Sequence, residues 1–195
     1  MQLQNSIRSF ILGAAALTAF TVRAEEGGSG HYLPGSMSSF MDSVPAGETF
    51  LARLNALYYE GSFSKDLTIP FAGLRAGDVD AESFATGLTI LWRPPLDLGD
   101  QWSYAMSATV PWVWMDVSAN VDATLPGGIP ASVRRSDNVD GLGDIVLMPL
   151  MLNYKFSDDF SANFRVAAYA PTGDYEVGRL ANPGKNYWTF EPTFA

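Results

Sequence analysis

The chain contains 195 residues, of which 47% are hydrophobic and 17% charged, and its formal net charge is −9. The hydrophobic content excludes a disordered chain, and the acidic balance argues against nucleic-acid binding, which requires concentrated positive charge. Because the sequence has no cysteine, it excludes disulfides, thiolate metal sites and cysteine nucleophiles.

Residues 1–24 have the pattern of an export signal. Arg8 precedes an apolar stretch from Phe10 to about Val22, and the small residue Ala24 closes the segment. A charged start, a short apolar core and a small final residue are typical of a secretory signal peptide. We therefore predict a signal peptide over 1–24 and a periplasmic N-terminal segment over 25–48.

Six later segments alternate between apolar and polar side chains, which is the period of a β-strand. They are Thr49–Tyr59, Ser83–Trp92, Gln101–Met115, Asp144–Phe156, Asp159–Ala170 and Tyr187–Ala195. None of them has a sustained helical period, and the chain lacks the run of about 18 apolar residues that a membrane helix needs. A membrane crossing would therefore have to use strands.

The connections between these segments alternate in length. Long connections are expected at 60–82, 116–143 and 171–186, with short ones between them, and aromatic residues gather at the strand ends. Outer-membrane barrels have long outer loops, short periplasmic turns and aromatic girdles at both interfaces. The pattern predicts an all-β fold, an antiparallel transmembrane β-barrel of the outer-membrane type, in the bacterial outer membrane.

Residues 49–195 would form the N-terminal part of this barrel. Bacterial barrels need at least about eight strands to close, and unpaired backbone groups in lipid are prohibitive. We therefore expect the six strands to be an incomplete barrel that lacks further C-terminal strands.

The polar parity of each strand would then face the lumen, where it would line the path of a solute. Its predicted members are Arg53, Asn55, Thr89, Ser107, Thr109, Asn153, Lys155, Ser161, Asn163, Arg165, Tyr169 and Glu191. On the fourth segment Ile145, Leu147 and Met151 share this parity with Asn153. Such an apolar patch could bind a hydrophobic or aromatic ligand, or could pack against a folded-in N-terminal segment.

His31 is the single histidine of the chain. It is expected to be a loop residue of an N-terminal plug or lip, and the alternative is the base of a hydrolase. The sequence contains no G-x-S-x-G elbow for a serine nucleophile, and one histidine without cysteine makes a poor zinc site. We therefore predict no enzymatic activity, no catalytic residues, no metal site and no cofactor.

Three runs resemble a known family. They are EGGSGHYLPGSM at Glu26–Met37, GLGDIVLMPLMLNYKF at Gly141–Phe156 and YAPTGDYEVGRLANPGKNYWTFEPT at Tyr169–Thr193. In these runs the chain is similar to the outer-membrane proteins of the meta-pathway of phenol degradation, also called SphA-like transporters. The resemblance implies a β-barrel that passes hydrophobic or aromatic compounds across the outer membrane.

The sequence and the resemblance together predict a channel that passively admits small hydrophobic or aromatic compounds. Its partners would be outer-membrane lipid and that solute, with no nucleic acid. Two alternatives remain open: a barrel-borne lipid or ester hydrolase, and a secreted soluble β-sandwich that binds a ligand.

Overall fold

The computed structural model describes residues 31, 44–45, 47, 49–63, 69–71 and 74–195. The signal-peptide prediction and most of 25–48 therefore lie outside the described residues. Eight strands form one antiparallel sheet, so the all-β antiparallel prediction is confirmed. The strands are β1 Thr49–Phe63, β2 Ile69–Phe71, β3 Leu74–Arg93, β4 Trp102–Leu125, β5 Ile129–Leu142, β6 Ile145–Lys155, β7 Ser161–Ala170 and β8 Thr189–Phe194.

The main path through the sheet is β1-β3-β4-β6-β7-β8, while β2 pairs with β3 and β5 pairs with β4. The end of β4 pairs with β5 and its beginning pairs with β6. Because β5 and β6 follow each other along one side of β4, they occupy a single strand position. In the described part of the chain β1 and β8 are the two edges, so the sheet is open and barrel closure stays a prediction.

Two of the expected long loops are strands instead. Most of 60–82 extends β1 and β3, and most of 116–143 forms a hairpin of β4 and β5. The hairpin turns at Gly127 and Gly128, whose φ angles of 92° and 78° suit residues without a Cβ. The third expected loop is irregular over 171–188, as predicted. The short turns, 94–101 and 156–160, lie at the opposite end of the sheet.

The sheet has two unlike faces. The exposed face carries side chains such as Leu54, Leu88 and Val110, which are 76%, 49% and 46% accessible. The covered face carries Thr89, Met151 and Arg165, which are all buried. Alternate residues of each strand therefore differ in burial, because successive side chains of a strand point to opposite sides of the sheet.

The polarity of these faces is reversed between the two halves of the longest strand. In the first half of β4 the exposed face carries Val110, Trp112 and Trp114, whereas its second half carries polar residues there, such as Asp116. The covered face changes in the opposite sense, from Thr109 and its neighbours to a set of buried apolar residues. This set is Val117, Ala119 and Val121.

Two apolar clusters cover the inner side of the sheet. One joins the extended hairpins to the irregular segment through Leu180 and Ala181, which are fully buried against Val117 and Val121. The other lies on β4, β6 and β7, nearer the short turns, and includes Met148 and Met151. Within the described residues, no helix has the length and apolar character required to cross a membrane.

Candidate functional site

Most of the predicted lumen residues share the covered face, as their parity predicted. Cross-strand pairing places them together: Asn55 and Arg53 lie beside Gly87 and Thr89, and Arg165 lies beside Met151. The members on this face are Arg53, Asn55, Thr89, Ser107, Thr109, Met151, Asn153, Lys155, Ser161, Asn163, Arg165, Tyr169 and Glu191.

Ile145 and Leu147 were assigned to the wrong face. Both belong to the exposed parity, and Leu147 is 39% accessible, whereas Met151 is 2% accessible on the covered face. The assignment extended one parity through the whole segment, but the register shifts between Leu147 and Leu150. A β-bulge adds one residue and so reverses the parity beyond it.

A row of polar side chains crosses β1, β3 and β4 on the covered face. The Asn55 amide donates a hydrogen bond to the Thr89 hydroxyl at 2.9 Å, and the hydroxyls of Thr89 and Thr109 are 2.8 Å apart. Thr89 is buried, so the row is a hydrogen-bonded part of the interior rather than a solvated surface.

The covered face of β7 is the most enclosed part of the site. Asn163 and Arg165 are 8% and 3% accessible, and Tyr169 is buried as well. The Tyr169 hydroxyl donates a hydrogen bond to Glu191 on β8 at 2.9 Å. Two predicted lumen residues, Tyr169 and Glu191, are thus direct partners.

Lys155 lies at the rim, where β6 ends. Its ammonium donates a hydrogen bond to the Asp158 carboxylate in the following turn at 2.6 Å. This hydrogen bond and the positive charge of Lys155 hold the pKa of Asp158 below its ordinary value. Both side chains are at least half exposed, so the pair marks the water-facing end of the strand.

His31 is enclosed by side chains from three distant parts of the chain. One ring nitrogen lies 2.6 Å from the Asp144 carboxylate and the other lies 2.8 Å from the Thr189 hydroxyl. The imidazole stacks on Tyr169 with ring centroids 4.7 Å apart, and Tyr187 meets it edge-on at 5.3 Å. The side chain of His31 is 8% accessible and that of Asp144 is 2% accessible. Carboxylate, imidazole and hydroxyl therefore stand in one hydrogen-bonded row.

Asp144 lies at the break between β5 and β6 and holds the irregular segment 171–188 there. One carboxylate oxygen accepts hydrogen bonds from the backbone amides of Thr172 and Gly173, at 3.1 and 2.9 Å, and the other accepts one from Lys185 at 2.7 Å. A Cβ on Gly173 would lie 2.7 Å from the Cα of Gly184. Glycine is required there because two backbones touch.

The described residues of the N-terminal segment lie against the covered face. Val44 is buried in the cluster of Met148 and Met151, and the carbonyl of Pro45 accepts a hydrogen bond from the Arg93 guanidinium. Together with His31, these contacts agree with a folded-in N-terminal segment, one of the two interpretations that the sequence left open.

Sequence reasoning missed Asp144 and Thr189 as partners of His31. These pairs are separated by 113 and 158 residues, and local spacing cannot reveal them. The available signal was indirect, since Asp144 lies in the GLGD run and Thr189 lies in the NYWTF run that carried the family resemblance. In the part of the chain that the structure describes, no group of three or more His, Asp or Glu is placed to hold a metal ion.

These features define a class: an all-β protein whose antiparallel sheet has a covered face with polar groups and an exposed face with a broad apolar region. A comparison with protein families matches residues 61–195 to the family described as "Putative MetA-pathway of phenol degradation". The match spans more than half of the chain, which therefore belongs to this family, and the resemblance found in the sequence motifs is confirmed. Comparisons with curated proteins and with solved structures gave no match.

Proposed function

We propose that the protein is an outer-membrane β-barrel that passively admits small hydrophobic or aromatic compounds. The observation that carries this proposal is the reversal of polarity along the strands. In the half of the sheet nearer the short turns, the exposed face carries apolar residues and the covered face carries polar ones. In the hairpins at the other end, the arrangement is the opposite. A soluble sheet keeps its apolar face inside throughout, whereas a barrel in lipid has a bounded apolar band on its outside.

The height of the band supports the same proposal. Trp102 and Trp114 face outward at its two limits on β4, with Tyr154 beside Trp102 and Phe84 beside Trp114. The two tryptophans are twelve positions apart in the sequence, which corresponds to about 40 Å along a strand. At the tilt of barrel strands, about 40°, this distance spans about 30 Å, the thickness of the hydrocarbon core.

The covered face supplies a route with mixed chemistry. Hydroxyl and amide groups on β1, β3 and β4 lie on the same face of the sheet as an apolar patch around Met148 and Met151. Binding surfaces for small organic molecules are mainly apolar and have a few placed polar groups. The solute would move down its concentration gradient, so the proposal needs no cofactor and no energy source. Export by the signal peptide would place the protein in the outer membrane.

Transport can be tested with the full-length protein in vesicles whose outer leaflet contains lipopolysaccharide, which slows apolar solutes. We expect phenolic and long-chain lipidic solutes to enter faster than into protein-free vesicles. Equal rates for the whole panel would contradict the transport proposal. Recovery of the exported protein in the soluble periplasm without detergent would instead favour the β-sandwich alternative.

A hydrolase is a second candidate because the structure places a hydroxyl beside His31. Thr189, His31 and Asp144 have the order of a nucleophile, a base and an orienting carboxylate. If this row is catalytic, purified protein should hydrolyse p-nitrophenyl esters, His31→Ala should abolish the activity, and Thr189→Ser should retain it. Activity that is absent, or unchanged in His31→Ala, would remove this candidate.

A further inference from the structure

Residues 175–183 form a loop that leaves the irregular segment and returns to the same point. The backbone amide of Gly184 donates a hydrogen bond to the carbonyl of Asp174 at 2.9 Å, so the two ends of this nine-residue stretch are adjacent. A compact loop of about 6–16 residues whose ends lie close together is an Ω-loop, a kind of loop that is frequently functional. Residues 175–183 are therefore an Ω-loop.

The side chain of Asn182 fixes the shape of the Ω-loop from within. Its carbonyl oxygen accepts hydrogen bonds from the backbone amide of Glu176 and from Nε of Arg179, at 2.8 and 3.1 Å. Its amide nitrogen donates to the backbone carbonyls of the same two residues, at 3.3 and 2.8 Å. Asn182 is 3% accessible, and a buried, satisfied polar network of this kind makes the loop rigid.

The Ω-loop lies on the covered face of the hairpin of β4 and β5. Leu180 and Ala181 are fully buried in one cluster with Val117 and Val121, and the backbone amide of Leu180 donates to the Asp137 carboxylate on β5 at 2.5 Å. The loop belongs to the connection after β7, which is two strand positions from β4 along the path β4-β6-β7, or about 10 Å at the usual strand spacing. It therefore crosses part of the covered face.

We propose that the Ω-loop limits the size of the solutes that pass along the covered face. The proposal rests on the transport function, which makes the covered face the wall of the path, and it adds the element that selects solutes by size. A rigid loop placed across a lumen reduces its cross-section, and the narrowest section decides which solutes a pore admits. The apolar covered face of the hairpins has the same explanation, because Val117 and Val121 pack against Leu180 instead of contacting the solute.

The test removes the Ω-loop and measures the entry of sugars of increasing size, arabinose, sucrose and raffinose, by the swelling of vesicles that contain the protein. Because the ends of the Ω-loop are already hydrogen bonded, a Gly-Gly pair can replace residues 175–183. We expect raffinose to enter at least about twofold faster per folded protein than with the wild type, and arabinose entry to change less. The control places the same Gly-Gly pair between the paired residues Ala123 and Ala131, in place of the hairpin tip 124–130, and should leave both rates unchanged.

A point substitution tests the same proposal without shortening the chain. Leu180→Asp places a carboxylate at a fully buried position and should detach the Ω-loop, because burying an unpaired charge is strongly unfavourable. Raffinose entry should then rise as it does when the loop is removed. Val177→Asp makes a similar change at a position of the same loop that is 70% accessible, and it should leave raffinose entry unchanged.

Unchanged raffinose entry in the folded variants overturns the proposal. Failure of both the shortened chain and Leu180→Asp to fold would assign the Ω-loop a structural role and would also overturn it. Uptake of phenolic solutes by the wild-type protein is measured in the same vesicles and tests the transport function separately. If these solutes enter no faster than into protein-free vesicles while raffinose entry responds to the Ω-loop, the transport function fails and the size limit stands; the reverse result retains transport and rejects the size limit.

Discussion

At the scale of single residues, Asp144 holds the candidate site together. Its carboxylate accepts hydrogen bonds from three backbone amides and contacts the imidazole of His31. The three amides belong to the irregular segment after β7 and His31 belongs to the N-terminal segment, so one side chain connects both segments to the end of β5.

Replacing Asp144 by alanine should therefore destabilise the folded protein. The change leaves buried amides without an acceptor, and each such group costs about 1–3 kcal/mol. We expect the free energy of unfolding to fall by at least about 2 kcal/mol, measured by guanidinium titration of the reconstituted protein. Asp140→Ala removes an exposed carboxylate from β5 and should change it by less than about 0.5 kcal/mol. Equal effects of the two substitutions would contradict the assigned role of Asp144.

The sequence predicted well which face of the sheet a side chain lies on. It did not predict which distant residues contact each other. Asn163, Arg165 and Tyr169 were assigned to the correct face because alternation is a local property. The neighbours of His31 could not be found in this way. They depend on the fold bringing together positions more than a hundred residues apart.

At the scale of strands, the reversal of polarity predicts different tolerance to charge in the two halves of the sheet. Leu88 lies on the exposed face of β3, inside the apolar band, whereas Ser132 lies on the exposed face of β5, beside Asp122. Leu88→Arg should lower the free energy of unfolding in membranes by about 2–4 kcal/mol, the cost of arginine at the bilayer midplane. Ser132→Arg introduces the same side chain beyond the band and should have little effect.

The quantity of folded protein in the outer membrane of expressing cells gives a second measurement. Leu88→Arg should reduce it, and Ser132→Arg should not. Equal tolerance of the two arginines would mean that the exposed face of β3 does not contact lipid, and the membrane proposal would be wrong.

Strand positions were easier to predict than strand lengths. The six predicted segments correspond to β1, β3, β4, β6, β7 and β8, but β4 runs on to Leu125. Residues 116–143 were predicted to be a long connection, but polar residues there, such as Asp116 and Asp122, alternate with apolar ones. These polar residues lie on one face of the hairpin of β4 and β5, and the apolar residues on its other face pack on Leu180.

At the scale of the whole molecule, the tryptophans allow a test of the proposal that one side of the sheet meets lipid. All five tryptophans of the chain lie on the surface, with accessibilities from 42% to 52%. They are Trp92, Trp102, Trp112, Trp114 and Trp188. In a membrane barrel these rings would lie at the lipid boundary and its interfaces.

Brominated phospholipids quench tryptophan fluorescence by contact. We expect strong quenching when the protein is reconstituted in such lipids, because all of its tryptophans would touch acyl chains or headgroups. A soluble bromide-containing quencher added to the same vesicles should have a much smaller effect. The reverse order of the two effects would indicate that the exposed face is in water.

The sequence alone determined the strand period, the division into two faces and the family, since alternation and short motifs are encoded locally. The tertiary structure decided three further features: the bulge that turns Leu147 outward, the continuation of β4 into the β5 hairpin, and the joining of His31 to Asp144 and Thr189. Each of these depends on register between strands or on contacts across the fold. Register is fixed only when whole strands pair and bury one face, which no local pattern contains.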